Sequence, residues 1–164
     1  MIRACLFGIG LIAASGTNAQ LPAVSPGALV ASTKDCAAAA TNKTVDSATL
    51  EARGWKTASI SGVEPAEVPF IYGKSEGGPI LMVSPPDVGS AQLCILTGSL
   101  KSQFDFKRIA RAFESEFTPA GVKANDRYFR IGSDTAVLTP TGSRSKPSFR
   151  VAVLELGVSE CASS

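Results

Sequence analysis

The stretch DCAAAATNKTVDSATLEARGW, which runs from Asp35 to Trp55, places a cysteine in an alanine-rich segment and ends on Gly-Trp. Alanine is a strong helix former, so the first part of the stretch predicts a short helix that contains Cys36. Ser32 or Thr33 is placed to cap the N-terminus of this helix. What Cys36 does is the first question that the sequence raises.

The second half of the stretch predicts another short helix, with Thr44 or Asp46 as its N-cap and Arg53 as its last residue. Gly54 suits the left-handed backbone position that follows a helix. Trp55 is then placed to fold back as the hydrophobic contact that accompanies such a helix end, and to begin the first strand.

Residues 1–19, MIRACLFGIGLIAASGTNA, have the layout of a secretory signal peptide. Arg3 supplies a positive start, an apolar core follows over residues 4–14, and small residues precede a cleavage site after Ala19. The apolar core is too short to span a bilayer. We therefore expect an exported protein, periplasmic or secreted, whose mature chain begins at Gln20.

The mature chain has the length of one domain. We divide it into an extended lead-in at residues 20–32, a single domain at residues 33–157 and a C-terminal tail at residues 158–164. It has no further apolar run long enough to cross a bilayer, so no stable membrane insertion is expected after signal cleavage. The net charge of +2 argues against a nucleic-acid partner, because phosphate contact depends on clustered Lys and Arg.

The clearest helix is predicted over Asp105–Phe117. Its apolar residues recur at helical spacing and form one stripe, namely Phe106, Ile109, Ala110, Phe113 and Phe117. Lys107, Arg108 and Arg111 occupy the other side, which we interpret as a solvated face.

Short apolar or alternating segments bounded by turn residues predict the strands. They are Trp55–Ile60, Val68–Tyr72, Pro79–Val83, Gln92–Thr97, Arg127–Ile131, Thr135–Leu138 and Phe149–Leu156. Short turns between strands favour antiparallel pairing, and one helical stripe can pack on such a sheet. The predicted fold is a single α+β domain with a mainly antiparallel sheet of about six to seven strands and two helices. No internal repeat is visible.

The sequence contains no histidine. Its absence excludes Ser-His-Asp and Cys-His nucleophiles, histidine as a general base and the commonest zinc ligand sets. No metal site and no cofactor is therefore expected. A chemical activity would have to use carboxylates, lysine or cysteine.

The mature chain has three cysteines, Cys36, Cys94 and Cys161. Cys94 lies in an apolar strand, where burial would make its thiol a poor nucleophile. Three single disulfides are possible, of which we favour Cys36–Cys94, with Cys36–Cys161 as the next choice. The favoured bond would close a loop of almost sixty residues, worth about 4 kcal/mol, and would leave Cys161 as the free thiol. A catalytic Cys36 thiolate is the less favoured reading.

Ser143 and Lys146 have the S-x-x-K spacing of Ser-Lys acylases, in which the serine opens a helix and the lysine lies one turn away. Here the neighbouring prolines and glycine predict a hairpin loop, which breaks that geometry. We interpret the match as chance. Arg144 and Lys146 are the candidate contacts for an anionic ligand, although a solvated loop is the simpler interpretation.

Paired carboxylates could in principle act as acid and base in a hydrolase. Glu64 and Glu67 share a predicted loop, Glu114 and Glu116 share a helix end but lie on different faces, and Asp126 and Asp134 lie at strand ends. Such pairs arise by chance among the 14 acidic residues of a small chain, so none is nominated as catalytic.

A cysteine followed by a helix that ends on Gly-Trp, and then by a cysteine in a strand, resembles uncharacterised small exported proteins of bacteria. The matching positions are Cys36, Leu50, Gly54, Trp55 and Cys94, all in the first half of the mature chain. The resemblance implies a periplasmic or secreted domain in which the two cysteines are paired. It brings no established activity, and Cys161 lies outside the pattern.

The function predicted from these observations is a non-enzymatic domain of the cell envelope that binds a ligand or a protein partner through its sheet or loops. The partner, a protein or a small molecule, is not identified by the sequence. One alternative is a small hydrolase or lyase that uses carboxylates or the pair Ser143 and Lys146. Another is an inhibitor or immunity-type interaction protein.

Overall fold

The computed structural model describes residues 23–41, 44–57, 70–84 and 92–155. The predicted signal peptide at residues 1–19 and Cys161 lie outside these residues. Within them, the chain forms three helices and an eight-stranded antiparallel sheet. The predicted single α+β domain is therefore confirmed, with three helices, one for each predicted helical segment, and eight strands in the sheet instead of the expected six to seven.

The helices are α1 (Pro26–Ala39), α2 (Ser47–Ala52) and α3 (Gln103–Glu116). A small two-stranded sheet pairs β1 (Ala40–Thr41) with β2 (Thr44–Val45). The main sheet contains β3 (Trp55–Thr57), β4 (Ile71–Lys74), β5 (Ile80–Val83), β6 (Gln92–Ser99), β7 (Thr118–Lys123), β8 (Asp126–Ile131), β9 (Asp134–Gly142) and β10 (Pro147–Leu154).

The order of strands across the main sheet is β3-β4-β5-β6-β10-β9-β8-β7. It therefore consists of two four-stranded meanders, each preceded by a helix of 14 residues, α1 in the first half and α3 in the second. The last strands of the two meanders, β6 and β10, pair antiparallel at the centre, and α1 packs against α3. The domain thus has a repeated topology that no repeat of residues reveals.

Helix α1 begins earlier than the sequence predicts. Ser25 is its N-cap, and the Ser25 side chain accepts a hydrogen bond of 3.2 Å from the backbone N–H of Ala28. Pro26 occupies the first helical position, where a backbone N–H would have no carbonyl partner within the helix. The predicted caps are wrong, because Ser32 and Thr33 lie buried within the helix. The predicted extended lead-in is likewise wrong for residues 26–32.

The predicted second helix is confirmed as α2. Asp46 caps it by accepting hydrogen bonds from Ala48 and Thr49, whereas Thr44, the other predicted cap, belongs to β2. Gly54 has a φ of 85°, the left-handed conformation that ends the helix. The chain then enters β3 with Trp55, whose side chain is buried in the core.

The predicted helix over Asp105–Phe117 is confirmed as α3, whose buried side chains Ile109, Ala110 and Phe113 belong to the predicted stripe. The Asp105 carboxylate accepts a hydrogen bond of 2.9 Å from the backbone N–H of Ser102 and so closes the N-terminal turn. Glu116 is the last residue of the helix.

Strand β7 was not predicted, because Pro119 and Gly121 mark a turn in the sequence. In the structure they lie in the edge strand of the sheet, which pairs with β8 and carries a bulge between these two residues. An edge strand tolerates proline because one row of its N–H groups has no ladder partner to lose.

The core lies between the helices and one face of the main sheet. Its largest fully buried side chains include Trp55, Phe113, Phe129 and Phe149. The sheet itself makes room for Phe149 and Val24 at Gly98, where an added Cβ would lie 2.9 Å and 2.7 Å from their side chains. No helix of the described residues is long and apolar enough to cross a membrane.

Cys36 of α1 and Cys94 of β6 form a disulfide, with their Cα atoms 6.6 Å apart. Both residues are fully buried. The favoured pairing is therefore confirmed, and it rules out an unpaired Cys36 thiolate. The bond ties the first helix to a central strand across 58 positions of sequence.

We expect the double variant Cys36→Ala/Cys94→Ala to lose about 4 kcal/mol of unfolding free energy, because the unfolded chain is freed from a long closed loop. Urea unfolding followed by circular dichroism measures this loss. Cys161→Ala, which leaves the bond intact, is the matched control. Equal unfolding free energies for the two variants would show that the bond does not stabilise the domain.

Candidate functional site

The face of the main sheet that points away from the helices carries a continuous line of apolar side chains. Cα partners in an antiparallel sheet share a face, so the strand register aligns residues into rows across the sheet. One row crosses six adjacent strands and consists of Ile71, Met82, Ile95, Ala152, Val137 and Tyr128. We call it the apolar row, and the surface around it the outer face.

The residues of β6 show which side of the sheet the apolar row faces. Cys94 and Leu96 on β6 are fully buried, and Cys94 is bonded to Cys36 of α1. Since side chains alternate along a strand, Ile95 between them points away from the helices. Ala152, opposite Ile95 on β10, is 8% exposed and yet does not belong to the core cluster. The other five members of the row are half-buried.

The apolar row is bordered mostly by hydroxyl and charged groups, with the apolar Ile80 on one side and Leu154 on the other. On one side, Arg150 is exposed, and Thr139 donates a hydrogen bond of 2.7 Å to the Asp126 carboxylate. On the other side lie Thr135 and Arg130, which pair in the register and of which Arg130 is exposed. An apolar centre with a polar border is the usual anatomy of a protein–protein interface.

The sequence contains a signal for this face. The segment Pro79–Val83 and the strand around Cys94 are apolar at successive positions, which indicates burial on both faces. Helices cover one face of these strands. The other apolar face of these strands is not covered by any helix of the described residues. The strand register shows that this apolar surface continues onto β10, β9 and β8.

A cleft lies between α1 and the turn that joins β4 to β5. This cleft has a volume of about 310 Å³. Small side chains, among them Ala28, Ala31 and Ser32, form its helical wall, and Lys74 and Glu76 lie on the side of the turn.

The Lys74 ammonium at this cleft is already bound within the protein. It donates to Asp35 Oδ2 at 2.9 Å, and the same oxygen accepts a hydrogen bond from Trp55 Nε1 at 3.0 Å. Asp35 Oδ1 accepts from the Arg53 guanidinium at 3.1 Å. The ammonium also lies 5.1 Å from the centre of the Trp55 ring. The cation at the cleft is therefore already engaged with Asp35, and we interpret the Asp35 cluster as structural.

Asp35 is almost fully buried, and burial acts to raise the pKa of its carboxyl. The hydrogen bonds from Lys74, Trp55 and Arg53 outweigh burial, so the pKa lies below its usual value. The charged form of Asp35 is thus the one that stabilises the fold.

The structure does not arrange Ser143 and Lys146 as a nucleophile and base. Both are exposed in the loop between β9 and β10. The Ser143 hydroxyl accepts a hydrogen bond of 3.1 Å from the backbone N–H of Lys146 and lies 3.0 Å from the Ser145 hydroxyl. Arg144 is exposed in the same loop, and its contact with an anion, together with that of Lys146, stays a prediction.

The carboxylates considered as acid and base also have separate places in the structure. Glu64 and Glu67 lie outside the described residues. Glu114 pairs with Arg127 at 2.9 Å, and Glu116 pairs with Lys34 at 2.6 Å. Asp126 accepts from Thr139 on the outer face, whereas Asp134 is buried at the start of β9.

Asp134 lies near a second carboxylate. Thr135 of β9 pairs with Leu154 of β10. In an antiparallel pair the next residues on that side are Asp134 and Glu155, so the two carboxylates lie beside each other at the end of β10. Burial raises the pKa of Asp134, the negative charge of Glu155 raises it further, and a hydrogen bond with Ser133 only partly offsets them. The described residues contain no group of three or more Cys, Asp or Glu that could hold a metal ion.

No protein-family model, no curated protein and no solved structure is significantly similar to this chain. The resemblance to small exported bacterial proteins therefore stays a prediction. The function has to be inferred from the geometry of the outer face and the cleft.

We expect Asp35→Asn to destabilise the protein by about 2 kcal/mol at pH 7, because it leaves the largely buried Lys74 ammonium without its charged partner. The folded-state pKa of Asp35 is lowered, so its stabilisation is present above the unfolded pKa of about 4 and is lost as the pH falls through the folded value. Urea unfolding at pH 7 and pH 3 tests this, and the difference should shrink at pH 3. Glu114→Gln, which breaks an exposed pair, is the control and should change stability by less than about 1 kcal/mol.

Asp134→Asn should change the stability of the protein in the opposite direction to Asp35→Asn. The folded-state pKa of Asp134 is raised, so ionisation above the unfolded pKa of about 4 lowers the stability of the wild type. We expect the variant to be more stable by up to about 1 kcal/mol at pH 7 and equal to the wild type at pH 3. Thermal unfolding at the two pH values measures this. A lower melting temperature for the variant at pH 7 would contradict the assignment.

Proposed function

We propose that the protein is a non-enzymatic domain of the cell envelope that binds a protein partner through its outer face. The observation that carries the proposal is the apolar row across six strands, from Ile71 to Tyr128. Contiguous apolar surface that is left outside the core and bordered by polar groups is typical of protein interaction sites.

The shape of the outer face favours a protein over a small molecule. A row across six strands, spaced about 4.8 Å apart, is roughly 25 Å long. Sites for small molecules are concave and enclose most of the ligand. The small cleft beside α1 is concave, but its cation, Lys74, is held by Asp35.

The alternative of a small hydrolase or lyase has less support. The Ser143 hydroxyl is engaged with its own loop. Glu114 and Glu116 of α3 pair with cations on different elements, Arg127 on β8 and Lys34 on α1. An inhibitor or immunity-type protein would also bind a protein partner. Identification of the partner distinguishes an inhibitor or immunity-type protein from another partner-binding domain of the cell envelope.

Export is part of the proposal. The predicted signal peptide at residues 1–19 supports it, and so does the Cys36–Cys94 bond, because disulfides persist in oxidising compartments such as the periplasm. A partner in the same compartment is therefore expected.

A photoreactive benzoylphenylalanine placed at Val137, in the apolar row, should form a covalent adduct with a protein in the producing cell. Placed at Phe104, which is 76% exposed on α3, it should not. The adducts are detected by gel electrophoresis and identified by mass spectrometry. Ile95→Asp should remove the Val137 adduct, because it places a charge in the middle of the row. Equal labelling from both positions, or no adduct from Val137, would contradict the proposal.

A further inference from the structure

We propose that the partner on the outer face is a second copy of this chain, related to the first by a two-fold axis that runs along the apolar row. The inference rests on the proposed function, since it names the partner of the same surface. In a symmetric dimer the interface must be complementary to itself. The register of the outer face allows this to be tested residue by residue.

An axis along the apolar row places each residue of the row opposite its own counterpart. Ile95 then meets Ile95 of the second copy, and Met82 and Val137 likewise meet their counterparts. The contacts from Ile71 to Val137 are therefore apolar, and the two Tyr128 side chains face each other at one end of the row. Ala152 pairs with Ile95 in the register, and its side chain is small. The two sheets can therefore approach closely at the centre of the row.

The charges beside the row also become complementary. On β8, Asp126 and Arg130 lie two residues to either side of Tyr128 and so share its face. The two-fold axis exchanges the two sides of the row. Asp126 of each copy then faces Arg130 of the other, which gives two ion pairs related by symmetry.

Strand β10 fits the same axis. Arg150 and Leu154 lie two residues to either side of Ala152. The axis places the aliphatic part of Arg150 against Leu154 of the second copy, with its guanidinium at the border. An axis along the strands would instead set β8 opposite β4, whose outer-face residues Ile71 and Gly73 carry no charge.

The size of the outer face is adequate for a stable dimer. The sheet has eight strands. With strands about 4.8 Å apart and six residues long on average, it covers a plane of roughly 38 Å by 20 Å, or ~760 Å². A standard interface buries about 800 Å² of accessible surface per partner. Side chains make the accessible surface larger than the plane beneath it, so the two values are comparable.

Sedimentation equilibrium of the purified chain from Gln20 tests the inference directly. We expect twice the mass of one chain at micromolar concentrations and dissociation on dilution. Ile95→Asp should be monomeric over the same range. Phe104→Asp, which places the same charge on another exposed apolar side chain, is the matched control and should remain dimeric.

Charge reversal tests the direction of the axis without changing the apolar row. Asp126→Arg and Arg130→Asp should each weaken the dimer at least tenfold, because each places like charges opposite one another. The double variant Asp126→Arg/Arg130→Asp should restore the affinity of the wild type. Thermal unfolding confirms that each variant is folded. Failure of the double variant to recover would overturn the proposed axis.

The outcomes separate this inference from the proposed function. A chain that is monomeric at all concentrations overturns the second copy as partner. If the Val137 adduct then contains a different protein, the proposed function stands without the dimer. An adduct with twice the mass of one chain supports both.

Discussion

The disulfide between Cys36 and Cys94 is the constraint on which the rest of the structure depends. It joins the last turn of the first helix to one of the two central strands, and both cysteines are buried in the core. Next to it, Asp35 binds Arg53, Trp55 and Lys74, so the end of α2 and the strands β3 and β4 are held to the same turn of α1. Two adjacent residues of α1 therefore hold the first half of the domain together: Cys36 through its disulfide with Cys94, and Asp35 through its hydrogen bonds and ion pairs.

The features that could be predicted from the sequence are those that local chemistry determines. Gly54 ends α2 because its backbone reaches φ of 85°, and the apolar stripe that includes Ile109 and Phe113 predicts α3 without knowledge of its neighbours. Helix α1 begins before the predicted caps because Pro26 does not break it: proline is excluded from a helix interior but favoured in the first turn. Strand β7 was missed because an edge strand tolerates residues that a central strand excludes.

The central pairing of β6 with β10 could not be predicted in the same way. These strands are about fifty positions apart, and no local pattern specifies which of several apolar strands will pair. The outer face depends on this pairing, because Ile95 and Ala152 become neighbours only when the two meanders meet. Apolar residues on both faces of β5 and β6 were visible in the sequence, but the row that they join was not.

The disulfide also determines which residues form the outer face. A shift of β6 by one position would turn Ile95 into the core and Cys94 onto the outer surface, since side chains alternate along a strand. The bond from Cys94 to Cys36 excludes that shift, because Cys36 lies on the helical side of the sheet. The covalent bond that closes the core on one face thereby fixes Ile95, and the apolar row on either side of it, on the other.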